Sequence, residues 1–387
     1  MEFESAKQVA VRLGVNVRTV QKWAKENKFN GARRLGREWL IPKGSLPIEN
    51  PSEEIGSVHQ LMPLLTNSFV PGYCKEMIEG LEDEDDIAIA TAEYNYYKGQ
   101  TQKAIEISEL YLNPKDFNLS LSASFIYAFA NLSSGKLNLT QLGLNNIRRF
   151  AKKALEQGDV KFKTSAVFIG TAALVLLHQD TADLPPIQTI MPDLTGGLKL
   201  FGAYIMAHKA YLEKDYSRAV GIADGALAVK DAHYPVPSLY LKLIKCVCLM
   251  NIKDSQSAKT AFNEINRMAL DEEFYQPFAE HHGLLQGVIE TEIKKSRPAA
   301  YKSIVSLVDR FSKGWRTIYN GLTHNSVTVH LTTTEFAVAM LFNRNWSVKE
   351  ISAHMDISPR MVKHHLSVIY EKLDVSNREE LGQYLLK

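Results

Sequence analysis

From Asp86 to Tyr319 the chain shows almost no strict alternation of apolar and polar residues, and small and aromatic side chains recur at helical spacing instead. A strand repeats every two residues and a helix every 3.6, so this stretch is written for helices. Ala90 to Ala104 places small residues and Tyr94, Tyr96 and Tyr97 ahead of a turn at Gly99. Ala203, Ala207, Ala210, Tyr211, Tyr216 and Ala219 repeat the scheme around a turn near Lys214 and Asp215. Leu241 to Met250, a turn over Asn251 to Asp254, and Ala258 to Met268 give a third version.

Gly99 and Gly135 are 36 residues apart, and Ala219 and Ala258 are 39 apart. These spacings resemble the 34-residue tetratricopeptide period, loosely kept, in which each helical hairpin buries its apolar face only by stacking on its neighbours. An irregular helical bundle would have similar composition. Aromatic and Met residues such as Phe125, Tyr127, Phe129, Tyr204 and Met206 belong to the core, and a few could line a groove on the concave side. Two breaks bound this body. Pro42 to Pro51 holds three prolines and a glycine, and Thr323 to His330 is short, polar and β-branched. The expected organisation is a mainly α protein. A small winged helix-turn-helix (1–45) and a four-helix helix-turn-helix (331–387) flank a tetratricopeptide-like body (46–322).

An apolar fraction of 45% and a charged fraction of 23% are those of a globular protein. Cys74, Cys246 and Cys248 are too few for a disulfide framework and lack zinc spacing; Cys246 and Cys248 sit in an apolar run and read as buried thiols. The N-terminus carries no apolar signal core and no apolar run approaches membrane-spanning length, so a cytoplasmic protein without membrane contact is expected. The net charge of +2 is uneven. Met1 to Ser45 holds ten Lys and Arg against four acids, whereas Leu331 to Lys387 holds seven of each sign. A basic end on an acidic body suits a polyanion partner.

In the C-terminal segment Thr332 or Thr333 can cap a helix to about Asn343, with Glu335 placed to return the cap. Ser347, with Glu350, caps a second helix to Met355, and Ser358 caps a third to about Leu373, with Pro359 at its first position. Asn377 opens a last helix. In the third helix Val362, Leu366, Ile369 and Leu373 form a core stripe. Arg360, Lys363, His364 and Ser367 form another face, whose cations, imidazole and hydroxyl suit phosphate and base-edge contacts, although a solvated face can carry the same residues. Leu331-Thr332, Glu335, Ser347-x-Lys349-Glu350-Ile351, Ile357-Ser358, Val362-Lys363, His365, Ile369, Lys372-Leu373, Val375, Arg378 and Leu381 resemble the LuxR-type DNA-binding domain in order and spacing. This resemblance implies that the second and third helices form a helix-turn-helix with the third in the major groove, that Lys349 and Lys372 join the DNA-binding set, and that the last helix pairs two copies through Gln383, Tyr384 and Leu385. The family has Gly where Asn345 and Asp374 stand and Thr where Met361 stands, and the last change removes a hydroxyl that could touch the DNA backbone.

At the other end Ser5 can cap a helix burying Ala6, Val9, Ala10 and Leu13, ended by Gly14. A second helix from Asn16 or Val17 turns Val20, Trp23 and Ala24 inward and Arg18, Gln21, Lys22 and Lys25 outward. Arg33, Arg34 and Arg37 then cluster at the tip of a hairpin whose Leu35, Trp39 and Ile41 are expected on one side, with Gly36 at the bend. Gly14-Val15, Arg18-Thr19-Val20, Trp23, Arg33, Gly36-Arg37, Trp39 and Ile41-Pro42 resemble the winged helix-turn-helix of excisionases and MerR-type regulators. Arginines on a wing can reach phosphates or a narrow minor groove.

No G-x-x-x-x-G-K-[ST] motif and no nucleophile–base constellation occurs, so neither an ATPase nor another enzyme is expected, and no cofactor or metal. The pairs His281-His282 and His364-His365 lack carboxylate company and read as surface histidines, and Glu79 to Asp86 as a solvated helix start. The function expected is a DNA-binding transcription regulator acting on double-stranded DNA. A homodimer, a small-molecule or peptide effector on the body, and RNA polymerase are its expected partners. The competing reading is a helical scaffold that binds proteins and docks through its terminal modules.

Overall fold

The computed structural model describes residues 3–25, 28–29, 31–36, 38–45, 57–113, 116–157, 159–323 and 331–385, with 157, 266–268, 313 and 315–323 as backbone only. The N-terminal module is β1 (Phe3–Ser5), α1 (Ala6–Leu13), α2 (Val17–Lys25), β2 (Arg33–Leu35) and β3 (Glu38–Pro42). Ser5 caps α1 in a reciprocal box with Gln8, and Gly14 ends it at φ 68°. The antiparallel sheet runs β1-β3-β2. Its first strand was not expected, because three residues are too short for a sequence pattern. The register pairs Arg34 with Trp39 and Leu35 with Glu38, so Leu35 lies on the face opposite Trp39 and Ile41 and is 68% exposed. That corrects the expected alternation: the two-residue connection at the bend turns Leu35 out.

The body comprises α3 (Pro63–Thr66), α4 (Cys74–Glu79), α5 (Glu84–Tyr97), α6 (Thr101–Leu110), α7 (Phe117–Ser133), α8 (Leu137–Gln157), α9 (Val160–Leu176), α10 (Gly196–Leu212), α11 (Tyr216–Ala228), α12 (Pro235–Asn251), α13 (Ser255–Asp271), α14 (Gln276–His281), α15 (Val288–Glu292) and α16 (Pro298–Thr323). Pairs α5–α6, α7–α8, α10–α11 and α12–α13 are helical hairpins, turned by Gly99, Gly135, Lys214 and Lys253 in the left-handed region. Asp215 and Asp254 then cap the returning helices of the last two. Small residues let these helices close: Ala104, Ala219, Ala223 and Ala258 are fully buried.

Part of the space between the hairpins is occupied by the chain itself. Helix α3 packs on α5, α10 and α12, and α14 packs on α5, α12 and α16. Leu64 and Leu65 N–H donate to the Glu93 carboxylate at 2.9 and 3.0 Å, and a Cβ on Gly197 would lie 1.8 Å from Leu65 O. The small void left beside Glu93, Tyr96, Tyr240 and Glu280 has room for little more than a water. Burial pushes Glu93 up to about 8 and Glu280 up to about 7.

His281 and His282 are not surface histidines; both are buried, because tertiary partners unseen in local sequence satisfy them. His281 Nε2 meets Tyr204 Oη at 3.0 Å and His282 Nε2 meets Glu290 at 2.7 Å. Cys74, Cys246 and Cys248 are free and buried. Of the acidic run, Asp83 caps α5, whereas Asp86 turns inward to His59 and Gln60 N–H. Among the described residues no helix is long and apolar enough to cross a membrane.

The C-terminal module is α17 (Thr333–Asn343), α18 (Val348–Met355), α19 (Pro359–Leu373) and α20 (Arg378–Gly382). Its core is continuous with that of the body, whereas the N-terminal module keeps a separate core, against which Leu142 of α8 is the one hydrophobic from the body packed among the described residues. The helix from Asn377 stops at Gly382 rather than running to the end. The separators at 46–51 and 324–330 lie outside the described residues.

Candidate nucleic-acid interface

Three caps set the C-terminal helices. Thr332 and Glu335 close a capping box on α17, Ser347 and Glu350 another on α18, and Ser358 Oγ accepts from Met361 N–H at the start of α19. The turn from α18 to α19 passes through Asp356 at φ 53°. Asn345 and Asp374, standing where glycine is usual in the LuxR pattern, sit at φ 62° and 51°. Asn and Asp are among the non-glycine residues that tolerate that region, so both departures keep the turns.

Val362, Leu366, Ile369 and Leu373 anchor α19 inward. Arg360, Lys363, His364 and Ser367 are all exposed on its other face, as is Lys349 at the start of α18. Among the described residues neither Arg360 nor Lys363 meets a carboxylate in an ion pair. Two aligned turns of helix therefore present cations, an imidazole and a hydroxyl to solvent, a groove-sized polar ridge.

Lys372 is placed differently from the sequence expectation. Its ammonium lies 2.7 and 2.9 Å from the Glu335 oxygens and ties α19 to the capping box of α17. Against the upward push of burial, that pair and the Thr332 N–H hold the Glu335 carboxyl below its ordinary value. Arg378 is also engaged, over the Phe342 ring at 4.0 Å and bonded to Asn345 Oδ1 at 2.8 Å. Leu385 is buried in the module's own core, which removes it from the expected dimer contact and leaves Gln383 and Tyr384 exposed.

A feature absent from the sequence reading is the seam between this module and the body. Lys253 donates to Asn345 O at 2.9 Å and lies 3.4 Å from Glu350, and Arg344 reaches the Tyr216 and Tyr211 hydroxyls at 3.1 and 3.4 Å. The Gln286 carbonyl accepts from His354 Nε2 at 3.1 Å, and Lys295 pairs with Asp356. Gly287, at φ 88°, leaves room for Met355: an added Cβ would stand 2.3 Å from its sulfur. No local signal marks these contacts, since their partners are 61 to 133 residues apart. The seam uses α17, α18 and the turn, and leaves the outer face of α19 uncovered.

In the N-terminal module Arg18, Gln21, Lys22 and Lys25 are exposed on α2, and Arg33 and Arg34 on β2. The Arg33 guanidinium stacks over Phe3 at 4.7 Å, a contact the unexpected β1 creates. Arg37 lies outside the described residues. Arg12 bonds Glu4 at 2.9 Å and Ser45 O at 3.0 Å, closing the module's end.

Comparison with protein families matches residues 329–385 to bacterial regulatory proteins of the luxR family and residues 5–46 to a helix-turn-helix domain. No curated protein and no solved structure matches the chain. With a luxR-family module at one end and a second helix-turn-helix at the other, the chain has the DNA-binding parts of a transcription regulator.

Proposed function

We propose that this regulator reads duplex DNA with α19 in the major groove, and that α2 and the β2–β3 hairpin make a second contact nearby. The observation carrying the reading is the exposed Arg360, Lys363, His364 and Ser367 face on a helix whose other side is locked by four buried residues. Arg360 and His364 read base edges, and Lys363 and Lys349 neutralise phosphates. Control is exerted through the body. Because its core continues into the C-terminal module, a partner or ligand that binds one body arrangement more tightly shifts that module too. Two copies pair through the exposed Gln383 and Tyr384.

The test uses the intact chain and a duplex it selects from a random pool. Lys363→Ala should weaken binding to all sequences and reduce the salt slope by about one. Arg360→Ala/His364→Ala should relax selectivity, by about 1–3 kcal/mol for each base pair that is no longer read. Retained affinity and selectivity in the double variant would show that α19 is not the reading helix and leave the scaffold reading standing.

A further inference from the structure

The C-terminal module is electroneutral, yet binding a polyanion draws on released counterions, one increment for each phosphate neutralised. Its own supply is short. Of its described cations, Arg344 is spent on two tyrosines, Lys372 on Glu335 and Arg378 on Phe342 and Asn345, leaving Lys349, Arg360 and Lys363. The body supplies more beside the turn that leads into α19. Lys294 and Lys295, between α15 and α16, are both exposed. Lys295 pairs with Asp356 of that turn, with both side chains more than three-quarters exposed. Lys294 lies 5.7 Å over the Tyr301 ring, and Tyr301 Oη meets Thr333 Oγ1 at 3.3 Å, so it too sits against the module. Its charge reaches α19: after burial, and alongside His364, Lys294 helps hold His365 below its ordinary pKa.

We propose that the body itself touches DNA: Lys294 and Lys295 bind backbone phosphates flanking the bases read by α19, so the DNA-binding surface is composite and complete only while the module is docked. The inference rests on the preceding reading of α19 and adds a second element to it. An exposed pair such as Lys295–Asp356 contributes little to stability in water and exchanges readily for a backbone phosphate, because the duplex brings the summed field of many phosphates.

The experiment measures affinity of the full chain for a generic duplex and for its selected duplex across a salt series. Lys294→Ala/Lys295→Ala should lower the slope of log K against log salt by about 1.8, at about 0.9 per phosphate. Lys103→Ala, an exposed lysine of α6, should leave it unchanged. Asp356→Asn separates contact from tethering. It breaks the same pair but frees the ammonium, so binding should hold or tighten. If Asp356→Asn weakened binding as the lysine variant does, Lys295 would be only a tether and the proposal would fall. If Lys294→Ala/Lys295→Ala kept the full slope while Arg360→Ala lost affinity, this proposal would fail and the α19 reading would survive. An intact chain that bound no duplex would overturn both.

Discussion

The two DNA-binding modules are attached to the body in opposite ways. The C-terminal one shares its core with the body and is crossed by Lys253, Arg344, His354 and Lys295–Asp356. The N-terminal one has ten buried apolar residues of its own and meets the body where Gly14 and α1 abut Leu139 and Leu142 of α8. A module that shares a core cannot shift without repacking it, whereas one resting on a few side chains can. On the proposed reading, a change in the body would reach α19 through the shared core, and the N-terminal module would act as a more independent second grip.

The largest effect expected from breaking this contrast is at Gly287. Its φ of 88° is costly for any side chain, and its Cβ would collide with Met355. Gly287→Ala should destabilise the docked state by about 2–4 kcal/mol, combining left-handed strain with overpacking. Calorimetry should show the C-terminal module melting apart from the body. Adding Met355→Ala should remove the collision and leave the backbone strain together with the packing lost at Met355. A Gly287→Ala variant that melted with the parent as one transition would refute the shared core.

Proton uptake should sharpen the same contrast. Burial holds His354 at the seam, and His178 and His281 in the body, down at about 4, and His208 well below its ordinary value. An unfolded imidazole protonates near pH 6.5. Between about 6.5 and 4 the unfolded chain thus binds more protons, and stability falls with pH by up to about 1.4 kcal/mol per unit for each histidine. Glu93 and Glu280, raised by burial to about 8 and about 7, act oppositely. Above the unfolded carboxyl value near 4.5, folding keeps their protons on, so their support fades as pH rises toward 8. The body and its C-terminal module should be most stable near pH 6.5 and lose stability on both sides, with Glu93→Gln flattening the alkaline limb. The N-terminal module contains no histidine and should not share the slope between pH 6.5 and 5. Parallel acid melting of both modules would contradict their independence.

Local chemistry made the caps and faces of both modules legible. Thr332, Ser347 and Ser358 each bond within three residues, and the Val362 to Leu373 stripe follows from helical period alone. The hairpin turns at Gly99 and Lys214 were legible for the same reason. What escaped was everything decided by distant partners. Lys372 looks like any exposed helix lysine until Glu335 is folded beside it. His281 and His282 look solvated until Tyr204 and Glu290 arrive. The seating of residues 57–66 escaped too, because they carry no helical period and are held by distant partners: Asp86, Glu93, Asp116 and Ser122, whose hydroxyl accepts from Met62 N–H.

The smallest expected effect tests the looser attachment. Gly14 ends α1 at φ 68°, and an added Cβ would stand 2.0 Å from Leu139 Cδ2, a nominally worse collision than the one at Gly287. The neighbour differs in kind. Leu139 is half-buried and carries its methyl groups at the far end of a side chain that can swing toward solvent, whereas Met355 is enclosed by the seam. Gly14→Ala should therefore cost only the left-handed strain, about 1–2 kcal/mol, and confine it to the N-terminal module. Hydrogen exchange should quicken in α1 and β3 while α8 keeps its protection and the body's melting temperature holds. If α8 lost protection as well, the N-terminal module would be as tightly coupled as the C-terminal one, and the division into a rigid reader and an independent grip would have to be given up.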